Sequence, residues 1–343
     1  MKIAILGFAH GHVSLYCDIW RDRPDLGIEV VSAWDHDAKR LADAAEKRSL
    51  KACESVPELL SQPGIEAVVI GAETSLHADL VIAAARAGKR IVLQKPMALT
   101  LAQADAIVAA VEETGVPFTL AWQMRVDPQN LRMKRLVQEG VLGRTLMVRR
   151  RHGLNTHLWP DFENSWHVKP ELNRGMWADD AAHAVDFIYW LLGWPRSVFA
   201  EVDTLLNPKV PDDQGIAVFR CADGAFAEVV SSFTVLAGEN TTEIVGEKGC
   251  VIQNYGDVPS CNVPRPKDAV GLKWMLRGDK EWTDSGIPSP SAHAERIKGL
   301  AEPLAEFLHG RRPPIATAAE GRDVLRLILA SYESSATGKR INL

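Results

Sequence analysis

Long apolar runs and paired cysteines are both missing from this sequence. No apolar run approaches the ~18 residues that a membrane-spanning helix needs, and the short run after Met1 has neither the length nor the cleavage pattern of a signal peptide. The cysteines are odd in number and show no C-x-x-C spacing, which argues against a disulfide framework and a cysteine zinc site. They are Cys17, Cys53, Cys221, Cys250 and Cys261. We therefore expect a cytoplasmic chain with reduced thiols and no membrane partner.

Strong charge of one sign is missing as well. The formal net charge is -5, and acidic and basic residues are spread without long runs of one sign. The one basic cluster, at residues 149–151, ends an apolar stretch, so we interpret it as a strand end that faces solvent or a partner subunit. Nucleic acid is therefore not an expected partner.

Length and periodicity predict two domains. A chain of 343 residues exceeds the size at which a single hydrophobic core usually stops growing. Short runs rich in Val and Ile alternate with helical stretches up to residue 122, which is the pattern of a parallel sheet with crossover helices. These runs are residues 2–7, 28–34, 65–70, 90–93 and 118–121.

The pattern changes after residue 122. From residue 145 to about 283 most segments alternate apolar and polar residues, which indicates a mostly antiparallel sheet with one exposed face. One helix, over residues 177–192, interrupts these strands. We therefore predict an α/β chain with domains at residues 1–122 and 123–343.

A glycine-containing turn follows the first predicted strand, where a dinucleotide-binding turn would lie. Its residues are Gly7, Phe8, Ala9, His10, Gly11 and His12. The usual fingerprint has glycine at positions 7, 9 and 12, so only Gly7 matches, and the turn alone is also compatible with an ordinary strand-to-helix connection. His10 and His12 have no third ligand nearby, so we predict pocket or phosphate contacts for them and no metal site.

A carboxylate at the end of the second predicted strand indicates the cofactor. Asp35 is placed to accept hydrogen bonds from both adenosine ribose hydroxyls, and it would repel a 2′-phosphate. Lys39 and Arg40 lie one helical turn or more further on, so we expect them to face solvent. NAD is therefore predicted rather than NADP.

A longer stretch of the first predicted domain closely resembles a known family. Residues 65–100 read IEAVVIGAETSLHADLVIAAARAGKRIVLQKPMALT, which is similar to the strand, helix and strand that lead into the Glu-Lys-Pro motif of the glucose-fructose oxidoreductase and inositol dehydrogenase family. Gln94-Lys95-Pro96 stands in the place of that motif. The similarity continues through residues 122–128, 175–186 and 320–338, and it spans nearly the whole chain.

The resemblance implies a fold, a cofactor and a set of contacts. The fold is an N-terminal Rossmann domain, which is a doubly wound parallel sheet, followed by a substrate-binding and oligomerisation domain, an α+β domain with a large, mostly antiparallel open sheet. The cofactor is NAD, held by the turn after the first strand and by Asp35. Further cofactor contacts are implied for Ala72, Glu73, His77, Gln94, Lys95 and Gln123.

Helical spacing and chemistry identify a candidate base. Asp179, His183 and Asp186 lie at i, i+4 and i+7, so one helical face would carry all three. Oxidation of a secondary alcohol needs a group that accepts the hydroxyl proton, and histidine titrates in the useful range, so His183 is the predicted base. By spacing alone, a helix-capping Asp179 and a core His183 fit equally well. The resemblance implies that Asp179 binds substrate or orients the imidazole, and that Lys95 lies beside the nicotinamide and stabilises the developing alkoxide.

A segment rich in aromatic and hydrogen-bonding residues precedes this helix. Stacking surfaces combined with polar side chains suit a sugar or polyol, although tryptophans are also ordinary core and interface residues. The candidate substrate contacts are His152, Asn155, His157, Trp166 and Arg174. Arg174 can instead recognise a carboxylate, which would favour a sugar acid.

These features together predict an NAD-dependent oxidoreductase that moves a hydride between the nicotinamide and a carbinol or carbonyl carbon of a sugar, polyol or sugar acid. Within the resemblance, two alternatives remain. One is a glycoside hydrolase that uses tightly bound NAD for transient oxidation, and the other is a non-catalytic NAD-binding regulator. The exposed sheet face and the resemblance predict a homodimer or homotetramer.

Overall fold

The structure is a computed structural model that describes residues 1–238, 240–254, 263, 266 and 268–343. These residues form two compact units. The first comprises Met1–Val126, Glu171–Asn173 and Arg296–Leu325, and the second comprises Asp127–Pro170, Arg174–Glu295 and Arg326–Leu343. Within the described part of the chain, no helix is long and apolar enough to cross a bilayer.

The first unit contains a six-stranded sheet with the order β3-β2-β1-β4-β5-β6, in which every pair is parallel. Its strands are β1 (Lys2–Leu6), β2 (Glu29–Trp34), β3 (Lys51–Ala52), β4 (Ile65–Ile70), β5 (Arg90–Leu93) and β6 (Phe118–Leu120). The connecting helices are α1 (His12–Asp22), α2 (Ala38–Arg48), α3 (Val56–Leu60), α4 (His77–Arg86) and α5 (Leu101–Thr114). The order reverses beside β1, and ligands of such sheets bind at the carboxyl ends of the strands at that point.

The first unit also takes in residues 296–325, which the sequence division at residue 122 had grouped with the second domain. Long-range contacts explain the difference. The indole nitrogen of Trp20 donates to the carbonyl oxygen of Ala301 at 2.9 Å, and the backbone nitrogen of Ile315 donates to the hydroxyl of Thr119 at 2.8 Å. A hydrophobic pattern shows that a helix has an apolar face, but it does not show which sheet that face covers.

The described strands of the second unit form one sheet with the order β14-β13-β12-β11-β7-β10-β9-β8-β15. They are β7 (Thr145–Gly153), β8 (Pro195–Asp203), β9 (Gln214–Cys221), β10 (Phe226–Ser232), β11 (Asn240–Gly246), β12 (Gly249–Gln253), β13 (Leu272–Leu276), β14 (Thr283–Asp284) and β15 (Ile341–Asn342). The pair β7 and β10 is parallel and the other pairs are antiparallel, so the predicted α/β fold with a mostly antiparallel second sheet is confirmed.

The remaining helices are α6 (Pro128–Gln138), α7 (Pro170–Asn173), α8 (Met176–Asp179), α9 (Ala181–Leu192), α10 (His293–Lys298), α11 (Ala301–Leu308) and α12 (Ala318–Thr337). Helix α9 packs against β7 and β10 and covers one face of the second sheet. Cys17, Cys53, Cys221 and Cys250 are free thiols, and Cys261 lies outside the described residues.

The basic cluster at residues 149–151 lies within β7. Arg149 is half-exposed and donates to Glu228 at 2.8 Å, whereas Arg150 is buried, donates to Gln253 at 2.8 Å and lies over the ring of Phe187. The expectation that the cluster faces solvent or a partner is therefore wrong for Arg150, because successive side chains of a strand point to opposite faces.

Candidate functional site

The turn after β1 has the backbone of a dinucleotide-binding turn despite its imperfect fingerprint. Gly7 has a φ of +90°, and a Cβ there would overlap the backbone of Ala72. Glycine is required at this position by both conformation and space. Gly11 has a φ of -56° and open space around it, so it fulfils no such requirement. The turn leads into the N-terminus of α1, where backbone amides suit the pyrophosphate of a dinucleotide.

Asp35 follows β2 and lies at the centre of a hydrogen-bonded cluster. Its side chain is buried and accepts from the backbone nitrogens of Phe8 at 2.8 Å and Asp37 at 2.9 Å. The guanidinium of Arg40 donates to both carboxylate oxygens at 2.7 Å and also to Glu73 at 2.9 Å. Burial opposes ionisation of Asp35, but the bonds from Arg40 and the two amides outweigh it and hold its pKa below the ordinary value.

The expectation that Arg40 faces solvent is therefore wrong, whereas the Lys39 side chain is 84% exposed. Helix α2 begins at Ala38, so Arg40 lies in its first turn and its side chain reaches back towards the end of β2. Glu73, predicted to contact the cofactor, is brought to the same cluster from the turn after β4.

The side chain of His77 connects the turn that follows β4 with the turn that follows β5. Its ring nitrogens lie 2.9 Å from the carbonyl oxygen of Pro96 and 3.1 Å from that of Ala72. Burial lowers the pKa of His77 to about 4, so the ring is neutral at physiological pH. The structure thus ties His77 to the turn that carries Lys95, and Lys95 itself is buried.

Gln94 and Gln123 are both fully buried in the first unit. The side-chain amide of Gln94 donates to the hydroxyl of Tyr16 on α1 at 3.1 Å. Gln94 therefore anchors the turn after β5 to helix α1.

The predicted helix over residues 177–192 is divided at Asp180 into α8 and α9. Asp179 ends α8, and its Oδ2 lies 2.8 Å from Nδ1 of His167. His183 lies in the first turn of α9, and its ring is tilted by 33° against that of His152, with centroids 5.1 Å apart. Asp179 and His183 are both buried, and each has a histidine partner that sequence spacing did not predict.

Asp180 completes the cluster around His183. Its Oδ1 lies 3.4 Å from Nε2 of His152, and all three side chains are buried. Each offers one ligand atom within 4.8 Å of the others, so this group is also the one whose spacing would suit a metal ion among the described residues. The sequence analysis predicted no metal site. It could not recognise this group, because Asp180 and His183 lie at the junction of α8 and α9 and His152 lies about thirty residues earlier on β7.

Aromatic rings surround the Asp179 and His167 pair. Trp166 stacks on His167 with centroids 4.0 Å apart, and Trp159 approaches the same ring edge-on at 6.4 Å and is 46% exposed. Trp166 therefore lies against the histidine that contacts Asp179, and its role as a substrate contact stays a prediction. Sequence reasoning missed His167, although its place next to Trp166 in a polar aromatic segment was the available signal.

The other predicted substrate contacts, His157, Asn155 and Arg174, have different surroundings from Trp166. His157 lies with Nδ1 2.8 Å from the carbonyl oxygen of Phe233, and Asn155 is partly exposed in the same segment. Arg174 adopts a φ of +69° and lies over the ring of Tyr332 at 5.9 Å. Tyr332 in turn donates to Asp212 at 2.8 Å, and Asp212 accepts from the backbone nitrogen of Trp177 at 2.7 Å, so this group anchors α8.

Comparison with known protein families gives a match to the same family for both parts of the chain. Residues 1–121 match the NAD-binding Rossmann fold of the GFO/IDH/MocA oxidoreductase family, and residues 130–252 match the C-terminal domain of that family. Over 91% of its length the chain is 28% identical to a 1,5-anhydro-D-fructose reductase from Ensifer adhaerens, of which 90% is covered. Over its whole length it is 26% identical to a myo-inositol 2-dehydrogenase from Thermotoga maritima, of which 98% is covered.

A solved structure of levoglucosan dehydrogenase, in complex with NADH and levoglucosan, has the same fold. The TM-score is 0.85 at 20% sequence identity, with 100% of this chain and 99% of that chain covered.

Proposed function

Because the chain belongs to the GFO/IDH/MocA oxidoreductase family, whose first domain binds NAD, we propose that it is a dehydrogenase that transfers a hydride between the nicotinamide and a carbinol or carbonyl carbon of a sugar, polyol or sugar acid. The observation that carries this proposal is the buried group of His183, His152 and Asp180 beside the pair of Asp179 and His167. Two histidine-carboxylate groups, one of them buried and the other partly exposed, can accept and pass on a proton, which alcohol oxidation requires.

The residues of the first unit fit the cofactor. Gly7 with its positive φ, the first amides of α1 and the buried carboxylate of Asp35 correspond to pyrophosphate and ribose contacts. When bound, NAD accepts or donates the hydride. The chain has to hold the reacting alcohol, remove its proton and stabilise the oxygen that is left.

His183 is the group that accepts the hydroxyl proton in this proposal. The carboxylate of Asp180 and the ring of His152 lie next to it, and a nearby negative charge stabilises the imidazolium that forms. Lys95 supplies an ammonium group for the developing alkoxide, and such a charge is most effective in a buried site. Asp179 orients His167 and, with it, the substrate hydroxyls.

The aromatic segment supports a carbohydrate or polyol substrate. Trp166 and Trp159 offer flat apolar surfaces around the polar ring of His167, and a sugar has apolar faces and hydroxyl edges that match this combination. The named relatives act on an anhydrosugar and on an inositol, which belong to the same chemical class.

A purified sample tests the function directly. Incubation with NAD and a panel of polyols, aldoses and sugar acids should give NADH fluorescence with at least one compound, and His183→Asn should abolish most of that signal. Cleavage of a glycoside without net NADH formation would favour the transient-oxidation hydrolase. Tight NAD binding without turnover of any compound in the panel would favour a regulator.

We also propose a homodimer or homotetramer built on the outer face of the second sheet. Phe199 and Val218 are directly paired on β8 and β9, and Ile216 lies two residues before Val218 and therefore on the same face. All three are exposed, at 39%, 39% and 43%, and Phe226 on β10 is 48% exposed. Contiguous apolar surface of this kind marks contact with a partner subunit.

A further inference from the structure

Arg40 occupies the carboxylate that the adenosine ribose of a dinucleotide would use. The two oxygens of Asp35 accept two backbone amides and two guanidinium nitrogens, and a carboxylate offers about four acceptor sites in all. The amides of Phe8 and Asp37 are fixed by the fold. Ribose hydroxyls can therefore reach Asp35 as donors only where Arg40 gives up its bonds.

Glu73 is a second carboxylate that accepts a hydrogen bond from Arg40. The same guanidinium nitrogen that contacts Asp35 Oδ1 also lies 2.9 Å from Glu73 Oε1. His36 approaches both carboxylates, at 3.5 Å from Asp35 and 3.3 Å from Glu73. Nη2 of Arg40 can therefore keep its bond to Glu73 when the guanidinium gives up its two bonds to Asp35, because Glu73 is a separate acceptor.

A cavity of about 330 Å³ is lined in part by Arg40. Its lining contains more basic than acidic side chains. The basic ones are Lys39, Arg40, Lys47 and Arg48, and the acidic ones are Asp37 and Asp43. An arginine beside such a cavity is suited to a phosphate group, because the guanidinium can bind phosphate oxygens in a bidentate manner.

We propose that Arg40 sets the selectivity between NAD and NADP by competing with the ribose hydroxyls of NAD for Asp35 and by contacting the 2′-phosphate of NADP. The inference rests on the proposed placement of the adenosine ribose at Asp35. In the wild-type protein the carboxylate of Asp35 still favours NAD, and Arg40 narrows that preference.

Equilibrium binding tests the inference without turnover. NAD and NADP are each titrated by calorimetry into wild type, Arg40→Met and Lys51→Met. Arg40→Met should bind NAD about three- to tenfold more tightly, because a competing charge-assisted bond is removed, and NADP at least about tenfold more weakly. Lys51→Met removes the same charge from an exposed pair with Glu58, outside the lining of the cavity, and should change neither affinity more than about twofold.

A second variant keeps the test independent of the folding of Arg40→Met. Glu73→Gln removes a carboxylate that restrains Arg40 and repels phosphate, so NADP should bind more tightly than to wild type. Weaker NAD binding by Arg40→Met, or equal changes for both dinucleotides, would overturn the role of Arg40. Unchanged NADP affinity in Glu73→Gln would also overturn it. Failure of the wild type to bind either dinucleotide would count instead against the proposed function.

Discussion

Oδ2 of Asp179 lies 2.8 Å from Nδ1 of His167, twelve residues earlier in the chain. This contact gives Asp179 a role that can be measured. If the carboxylate acts through His167, then Asp179→Asn and His167→Gln should each lower kcat about tenfold to a hundredfold, and the double variant should lose little more. Steady-state kinetics on wild type, the two single variants and the double variant, with the substrate that the NADH screen identifies, gives the comparison.

Additive losses in that cycle would show that the two residues act separately. Rescue by Asp179→Glu would support the orienting role, because a longer carboxylate retains the charge. Helix α8 can also be perturbed by the substitution, so the thermal midpoint of each variant should accompany the kinetics.

Features that depend on local sequence patterns were predicted, whereas features that depend on contacts between distant residues were not. Runs of Val and Ile predicted β1, β2, β4, β5 and β6, because strands buried on both faces carry a local pattern. The two-residue β3 carries no such pattern and was not predicted. Helical spacing predicted Asp179 and His183 on one face, but the break at Asp180 depends on tertiary contacts such as those of Asp212 with Trp177.

Side-chain contacts between residues far apart in the sequence could not be predicted from local patterns. Arg40 and Glu73 are 33 positions apart, and His152 and Asp180 come from a strand and a helix junction. The sequence identified Asp35 and His183 by residue type and position, whereas the charges that modify them become visible only in the folded chain.

His183 is predicted to be the proton acceptor. His183→Asn should keep the fold and the affinity for NAD, and should lower turnover by a factor of about 10² to 10⁴ because base catalysis is lost. His309→Asn is a matched control, since His309 contacts the carbonyl oxygen of Leu26 in the first unit. Near-normal turnover of His183→Asn would return the histidine to a structural role, and loss of wild-type turnover on treatment with a chelator would point to a metal at the same cluster.

Lys95 is predicted to stabilise the developing alkoxide. Lys95→Met removes the ammonium group and should lower kcat about 10² to 10³-fold, because a neutral side chain cannot offset negative charge in a buried site. NAD affinity should change much less than kcat. Lys39→Met provides the control for loss of one positive charge, and equal activity of the two variants would contradict the role of Lys95.

Asp212 is predicted to make stability depend on pH. Burial raises the pKa of Asp212 to about 6, although hydrogen bonds from Trp177 and Tyr332 oppose the rise. A raised folded-state pKa means that the protonated carboxyl is favoured in the fold, so its ionisation lowers the free energy of unfolding as pH rises from about 4 to 6. The free energy of unfolding of wild type relative to Asp212→Asn should therefore fall by up to about 3 kcal/mol over that window. Denaturant unfolding at several pH values measures this difference, and a pH-independent difference would contradict it.

The outer face of the second sheet is predicted to join copies of the chain. Wild-type protein at micromolar concentration should give a dimer or tetramer mass by light scattering, because exposed Phe199, Ile216 and Val218 form an apolar face that water solvates poorly. A double variant, Phe199→Asp with Ile216→Asp, should be monomeric with its fold retained, since carboxylates at the face would have to be desolvated on association. Leu205→Asp is the matched control, because Leu205 is 73% exposed and lies outside the strands of this sheet. It should leave the mass unchanged. A monomeric wild type would contradict the assembly, and a double variant with the wild-type mass would place the interface elsewhere on the molecule.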